Sequence, residues 1–294
     1  MKVAVTGASG LIGRQLVSDL MSEGYEVIKL TSSKNKNGVY TDYSLDDLKN
    51  KLVDVNTVVH LAAKRGGEKE ISRFVSDAVL TQNLYDACIH NDITNIIFAS
   101  SISIYSNQDN MPWVENSIDV PISVYGINKL TCEKIGELYN QQYGTKIKNL
   151  RLAHVFGPFE KNNYMINKFI RQAFNKKELN VISNDFEKRE FIYVKDVSNG
   201  IIQAIRKPDI YGNYNLGTNS WYTNEEVALI VNYVFQNDGN IRVTKKTDSK
   251  GSSSIMNSEL SMKDLEYKSQ FTLLEGMQDI ERMMRGMEDV PEIF

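Results

Sequence analysis

The sequence predicts an α/β chain built on a doubly wound parallel sheet, and three observations carry that prediction. Short apolar runs alternate with longer helical patterns from Val3 to Val155. Several of the short runs are continuously apolar, as strands buried on both faces are. The stretch Thr6–Gly13, TGASGLIG, sets three glycines three apart between the first run and the first helical pattern.

Val3–Val5, Glu26–Leu30, Thr57–Leu61, Asn95–Ser100 and Lys148–Leu152 read as strands, with helical stretches near 12–23, 45–52, 72–90 and 124–143. After Pro158 the rhythm changes to a helix near 163–175, short strands near 179–182 and 190–193, and a helix near 196–206. Thr223 stands three before Glu226, a capping box that opens a further helix. Lys250–Ser254 reads as a flexible loop and the Met-rich stretch 277–287 as a closing helix. The expected organisation is a Rossmann-type domain over 1–158 and a smaller, discontinuous α/β substrate domain over 159–294, with 189–217 partly returning to the first.

Composition narrows the function classes. Of 294 residues 41% are hydrophobic and 24% charged, ordinary for a globular chain that can bury a large core. A net charge of −3 offers no basic footprint, so no nucleic-acid partner is expected. No apolar run reaches the length of a membrane span, and MKVAV is strand-like rather than a signal or transit peptide. Cys88 and Cys132 fall in no metal-type spacing and read as reduced thiols, which predicts a cytoplasmic protein. His60, His90 and His154 are too scattered to predict a metal site.

Strand, glycine turn, helix and second strand is the order a dinucleotide site needs. Gly7 permits the tight turn, Gly10 lets backbone approach a pyrophosphate, and Gly13 lets the helix lie close on the sheet. Ser9, Leu11 and Ile12 complete the turn and the helix start, whose N–H groups and partial positive charge suit that pyrophosphate. The second strand ends Thr31-Ser32-Ser33-Lys34, without the carboxylate that usually meets the NAD ribose. Hydroxyls and an ammonium suit a 2′-phosphate, so the cofactor is NADP or NAD with the balance toward NADP.

YGINK opens the fourth long helix, and Tyr125 and Lys129, four apart, share one face of it. A phenol is a poor base at neutral pH, and a neighbouring ammonium favours its phenolate. Such a tyrosine takes a proton from a sugar hydroxyl while hydride leaves the same carbon. FASSISIYS, at 98–106, is a buried strand ending in Ser100, Ser101 and Ser103, where a hydroxyl can orient the reacting oxygen.

In chain order, TGxxGxxG, HLAA at 60–63, SSISIYS at 100–106, YxxxK at 125–129 and RLAHVFGP at 151–158 closely resemble the extended short-chain dehydrogenase/reductase family. The resemblance is to its nucleotide-sugar epimerase, dehydratase and reductase group. REFIYVKDV at 189–197 and YNLG at 214–217 resemble its later signatures. It implies Tyr125 as the acid/base, Lys129 on the nicotinamide ribose and Ser101 as the catalytic hydroxyl, with Ser100 beside the cofactor. Leu61, Ala62 and Ala63 would line the cofactor, Asp42 and Tyr43 would stand near the adenine, and Arg189 would meet the phosphates of a nucleotide-diphosphate sugar. Lys64, Ser103, His154 and Asn163 are the other expected substrate contacts.

Several positions depart from the family pattern. Ile102-Ser103 replaces the Asp-Glu of its dehydratases, so 4,6-dehydration is not expected. His154 replaces a substrate-binding asparagine, either to grip a diphosphate or to fill the space, and Asp77 replaces an asparagine of the third long helix. Lys250-Gly251-Ser252 stands where sugar epimerases carry an arginine and an aspartate. The expected chemistry is reversible hydride transfer at C4 of a nucleotide-diphosphate sugar, by a 4-epimerase or a 4-keto reductase. The alternative is a catalytically silent NAD(P) sensor, a class that usually loses the tyrosine or lysine kept here. Apolar residues on more than one face of 72–90 and 124–143 predict a homodimer through those helices.

Overall fold

Alternate residues of the central strands face different cores, and this builds the molecule. Val3 and Val5 pack with Leu16, Leu20, Val197 and Ile201, while Ala4 between them packs with Leu30, Leu48 and Leu84. Ile96 and Ile97 divide in the same way, so helices cover the sheet on both sides. The computed structural model describes residues 1–34, 37–64, 72–117, 121–160, 164–246 and 252–286.

The elements run β1 (Lys2–Thr6), α1 (Leu11–Ser22), β2 (Glu26–Thr31), β3 (Val39–Tyr40), α2 (Leu45–Lys51), β4 (Thr57–His60), α3 (Ser72–His90) and β5 (Asn95–Ser101). They continue with α4 (Val124–Tyr143), β6 (Lys146–Leu152), β7 (His154–Phe156), α5 (Met165–Phe174), β8 (Leu179–Ser183), β9 (Arg189–Tyr193) and α6 (Val194–Ile205). Last come β10 (Gly212–Leu216), β11 (Trp221–Tyr222), α7 (Asn224–Val234), β12 (Ile241–Lys245), α8 (Glu259–Asp264) and α9 (Leu273–Arg285). Seven strands form the main sheet in the order β10-β6-β5-β4-β1-β2-β3, every pairing parallel. The doubly wound expectation holds, and the order reverses between β1 and β4, where such sheets open a crevice beyond the strand ends.

A second core gathers Phe156, Phe169, Val181, Tyr193, Val231, Met277 and Ile280 around two smaller sheets, β11-β9-β7 and β12-β8. Two buried carboxylates near β9 tie this part together. Glu190, fully buried, accepts the N–H groups of Thr218 (2.7 Å), Asn219 (2.8 Å) and Met256 (2.9 Å). Asp196 accepts those of Gln270 (2.8 Å) and Phe271 (3.1 Å) and the Ser269 hydroxyl (2.9 Å). Burial pushes both carboxyls up in pKa and the N–H donors pull them back.

Two local expectations are corrected. The closing helix begins at Leu273 rather than near 277, because Thr272 and Glu275 form a second capping box. Lys250 and Gly251 lie outside the described residues, and Ser253 and Ser254 of the expected flexible loop are bonded. Ser253 N donates to Gln108 Oε1 at 2.7 Å, and Ser254 bridges to Arg189. Cys88 and Cys132 are both buried free thiols. Among the described residues no helix is long and apolar enough to cross a membrane, and no His/Cys/Asp/Glu cluster could hold a metal.

Candidate active site

A cavity of about 1610 Å³ opens at the carboxyl edge of the main sheet. Its wall carries Gly7, Ser9, Gly10, Leu11, Ile12 and Gly13 after β1, Thr31 and Ser32 at the end of β2, and Asp42 and Tyr43. Leu61, Ala62, Ala63 and Lys64 follow β4, Ser100, Ser101 and Ser103 follow the line of β5, and Tyr125 and Lys129 come from α4. His154 and Arg189 complete the set.

Ser33 and Lys34, also expected at the cofactor, are not among the residues that line this cavity. The Lys34 ammonium instead lies 5.0 Å over the Tyr40 ring, a contact that a polar loop sequence does not announce. Asn163 lies outside the described residues.

The glycine turn has the form the sequence suggested. Gly7 sits at φ 65°, and a Cβ there would fall 2.9 Å from Ala62 N, so the turn after β1 presses on the strip after β4. α1 opens into the cavity with no side-chain cap at Gly10 and no acid in its first turn. Its first N–H groups and dipole therefore face the cavity with no acid from the helix's own first turn against them, which fits a dinucleotide diphosphate. Arg14, which the sequence analysis did not select, also lines the cavity. Its Nε donates to Ser9 O at 3.1 Å and its guanidinium lies 5.6 Å from the Phe159 ring centre.

Tyr125 and Lys129 owe their position to the start of α4. Ser123 caps the helix by accepting Gly126 N at 3.0 Å. A Cβ on Gly126 would fall 2.1 Å from Ser103 O, so only glycine lets the helix approach the turn after β5. Tyr125, Lys129 and Glu133 then follow one another at four-residue spacing on one face. Lys129 is buried; its Nζ donates to Ala99 O at 2.6 Å and lies 5.9 Å from the Tyr125 ring centre. Phe74 of α3 meets the Tyr125 ring edge-on at 6.3 Å. Ser101 Oγ accepts Ser103 N at 3.1 Å, which leaves its hydroxyl proton to donate. The neighbouring Ser100 hydroxyl donates to Glu133.

His154 Nε2 meets Ser254 Oγ at 2.8 Å, and burial, with the Arg189 charge, pushes the ring down to about 4. A neutral imidazole offers a diphosphate a hydrogen bond but no charge. Arg189 is braced by Glu187 (2.7 Å) and Asn224 Oδ1 (3.1 Å) while its side chain borders the cavity. Asp77 also lines the cavity, where Oδ2 accepts Lys64 N at 2.9 Å. Burial raises its pKa, against the pull of that N–H.

A glycine turn and a Ser-Tyr-Lys set on one cavity of a doubly wound sheet define a dinucleotide-dependent enzyme of the short-chain dehydrogenase type. The sequence signature described as the NAD dependent epimerase/dehydratase family matches residues 3–217, and the chain belongs to that family. It is 42% identical to the UDP-N-acetylglucosamine 4-epimerase of Bacillus cereus, whose crystal structure superposes with a TM-score of 0.94 over 100% of both chains. It is 30% identical to an uncharacterised UDP-glucose epimerase, YtcB, of Bacillus subtilis (strain 168), over 74% of this chain and 77% of that protein. The UDP-glucose 4-epimerase of Thermotoga maritima, at 24% identity, shares the fold with a TM-score of 0.85 over 97% of this chain and 99% of that one.

Proposed function

We propose that this protein is an NAD-dependent 4-epimerase of UDP-linked sugars, with UDP-N-acetylglucosamine the first substrate to test. The observation that carries the reading is the convergence of Ser101, Tyr125 and Lys129 on the cavity that also holds the glycine turn. The full-length likeness to the Bacillus cereus enzyme supports the UDP-sugar class.

In this reading the backbone from Gly7 to Gly13 holds the cofactor diphosphate, and Leu61–Ala63 and Lys129 line its path toward the nicotinamide. A dinucleotide held there would supply the hydride acceptor for C4 and the donor for its return. Tyr125 takes the proton of the C4 hydroxyl and gives it back, with the buried Lys129 Nζ 5.9 Å from its ring centre. Ser101 donates its proton to the same sugar oxygen and fixes its distance from Tyr125. Arg189 pairs with the UDP diphosphate, with Lys64, Ser103 and neutral His154 as hydrogen-bonding neighbours.

An epimerase returns hydride to the opposite face of the same carbon, so the sugar must turn within the site. The size of the cavity suits two ligands and that movement. Residues 1–158 with β10 supply the cofactor side, and 159–294 mainly the sugar side. We also propose a homodimer through α3 and α4, which leave Val75, Val79, Ile127 and Leu138 about half exposed. Sedimentation at micromolar concentration checks it by mass.

The test is incubation of the purified protein with UDP-N-acetylglucosamine, following its C4 epimer. Conversion without net dinucleotide consumption is the expected result. Stoichiometric use of added NADPH would instead identify a 4-keto reductase.

A further inference from the structure

His60 stands outside the residues assigned to chemistry, yet its ring joins two walls of the cavity. It is 1% exposed at the end of β4, between Thr6 at the end of β1 and Thr81 on α3. Nδ1 lies 2.9 Å from Thr6 Oγ1, and Nε2 lies 3.1 Å from Thr81 Oγ1.

Counting donors settles which nitrogen carries the proton. Thr6 Oγ1 already accepts two backbone N–H groups, Leu61 at 3.1 Å and Ala62 at 3.0 Å. A hydroxyl has two acceptor positions and one proton, so the Thr6 proton goes to His60 Nδ1. Nε2 therefore carries the hydrogen and donates to Thr81. The Thr81 proton in turn goes to Asp77 O at 2.8 Å, with Cys132 Sγ at 3.4 Å as its other neighbour. Each group in the chain accepts on one side and donates on the other.

The chain matters because of what Thr6 holds. Leu61 and Ala62 line the cavity, and Ala62 N is the atom against which Gly7 closes. Asp77, at the other end, fixes Lys64 N through its carboxylate. We infer that His60, as the neutral Nε2–H tautomer, is a positioning residue that orients the Thr6 oxygen and so sets the Leu61–Ala62 strip for the dinucleotide. The inference rests on the dinucleotide reading of the cavity. Burial, with the Lys129 charge, keeps the ring deprotonated.

Two substitutions separate positioning from bulk packing. In His60→Asn the amide oxygen replaces Nδ1 as acceptor for the Thr6 proton. In His60→Gln the amide reaches the Nε2 position and that acceptor is lost. Both remove the ring, so a purely structural role weakens binding equally. Titration with NAD is expected to leave the Asn variant within about threefold of the unmodified protein and the Gln variant roughly tenfold weaker. Nitrogen NMR of histidine-labelled, unmodified protein at pH 7 is expected to report the Nε2–H tautomer for His60. An Nδ1–H tautomer, equal weakening of the two variants, or no weakening in either overturns the inference. If the variants fail to fold, the tautomer decides alone. Failure of the unmodified protein to bind NAD or NADP overturns the dinucleotide reading instead, and the tautomer measurement is independent of it.

Discussion

Arg151 and Glu133 face each other inside the fold, 2.8 Å apart from Nη2 to Oε2 and 4% and 0% exposed. The pair joins β6 to α4, and Glu133 sits one helical turn beyond Lys129 on the face that carries Tyr125. The Ser100 hydroxyl donates to the same carboxylate, and Arg151 Nη1 also donates to Tyr105 Oη at 2.7 Å. The rotation of α4 is thereby fixed from within the sheet.

Glu133→Ala is expected to lower stability by about 3–5 kcal/mol, because it leaves the Arg151 guanidinium buried without its anion. Replacing both residues with apolar ones of similar volume should recover most of the loss. Urea unfolding of the two variants and the unmodified protein checks this. A single variant within about 1 kcal/mol of the unmodified protein would show that water or a neighbour compensates the charge.

Tyr125→Phe keeps the ring against Phe74 and removes the hydroxyl proposed to carry the proton. Turnover is expected to fall by roughly 10²-fold or more, with dinucleotide binding retained. Turnover near the unmodified rate would remove Tyr125 from the chemistry.

The cofactor preference follows from the end of β2. Lys34 is engaged with Tyr40, and Asp42 shares the cavity wall with Thr31 and Ser32. The Ser44 N–H holds the Asp42 carboxyl below its usual range and so keeps it ionised. NAD is therefore expected to bind more tightly than NADP, whose 2′-phosphate meets that negative charge. Thr31→Asp should widen the gap. Fluorescence titration with the two reduced cofactors checks it, and tighter NADPH binding would reverse the assignment.

Acid should weaken the fold through His60. Burial pushes its pKa from 6.5 down to about 3, so the unfolded chain binds a proton in this range that the folded chain refuses. The contribution is intact above about pH 6.5 and is lost as pH falls toward about 3. It should amount to about 2 kcal/mol between pH 6.5 and 5. Stability curves at those two pH values check it, and in His60→Asn the slope should shrink by that amount.

Legibility in the sequence followed the range of the interactions. α3 and α4 begin and end where the pattern put them, since Ser123 and Gly144 mark the ends of α4 locally. Tyr125 and Lys129 share one helix, so their juxtaposition was readable from spacing alone. The Glu133–Arg151 pair and the Thr6–His60–Thr81 chain join different elements, and no local spacing announces them. β3, β7 and β11 are short and β12 is largely exposed, which leaves little apolar pattern to read. Ser253 and Ser254 read as loop because their partners, Gln108 and His154, lie a hundred or more positions away.

The matched family region ends at residue 217, but Glu190 within it receives N–H groups from Thr218, Asn219 and Met256. Trp113, also inside it, exchanges backbone hydrogen bonds with Ile255 and Asn257. A chain ending at residue 217 would lack all three of these donors to Glu190 and both backbone partners of Trp113. These partners all come from residues 218–257, so truncation at the family boundary is expected to give an incompletely folded chain rather than a minimal enzyme.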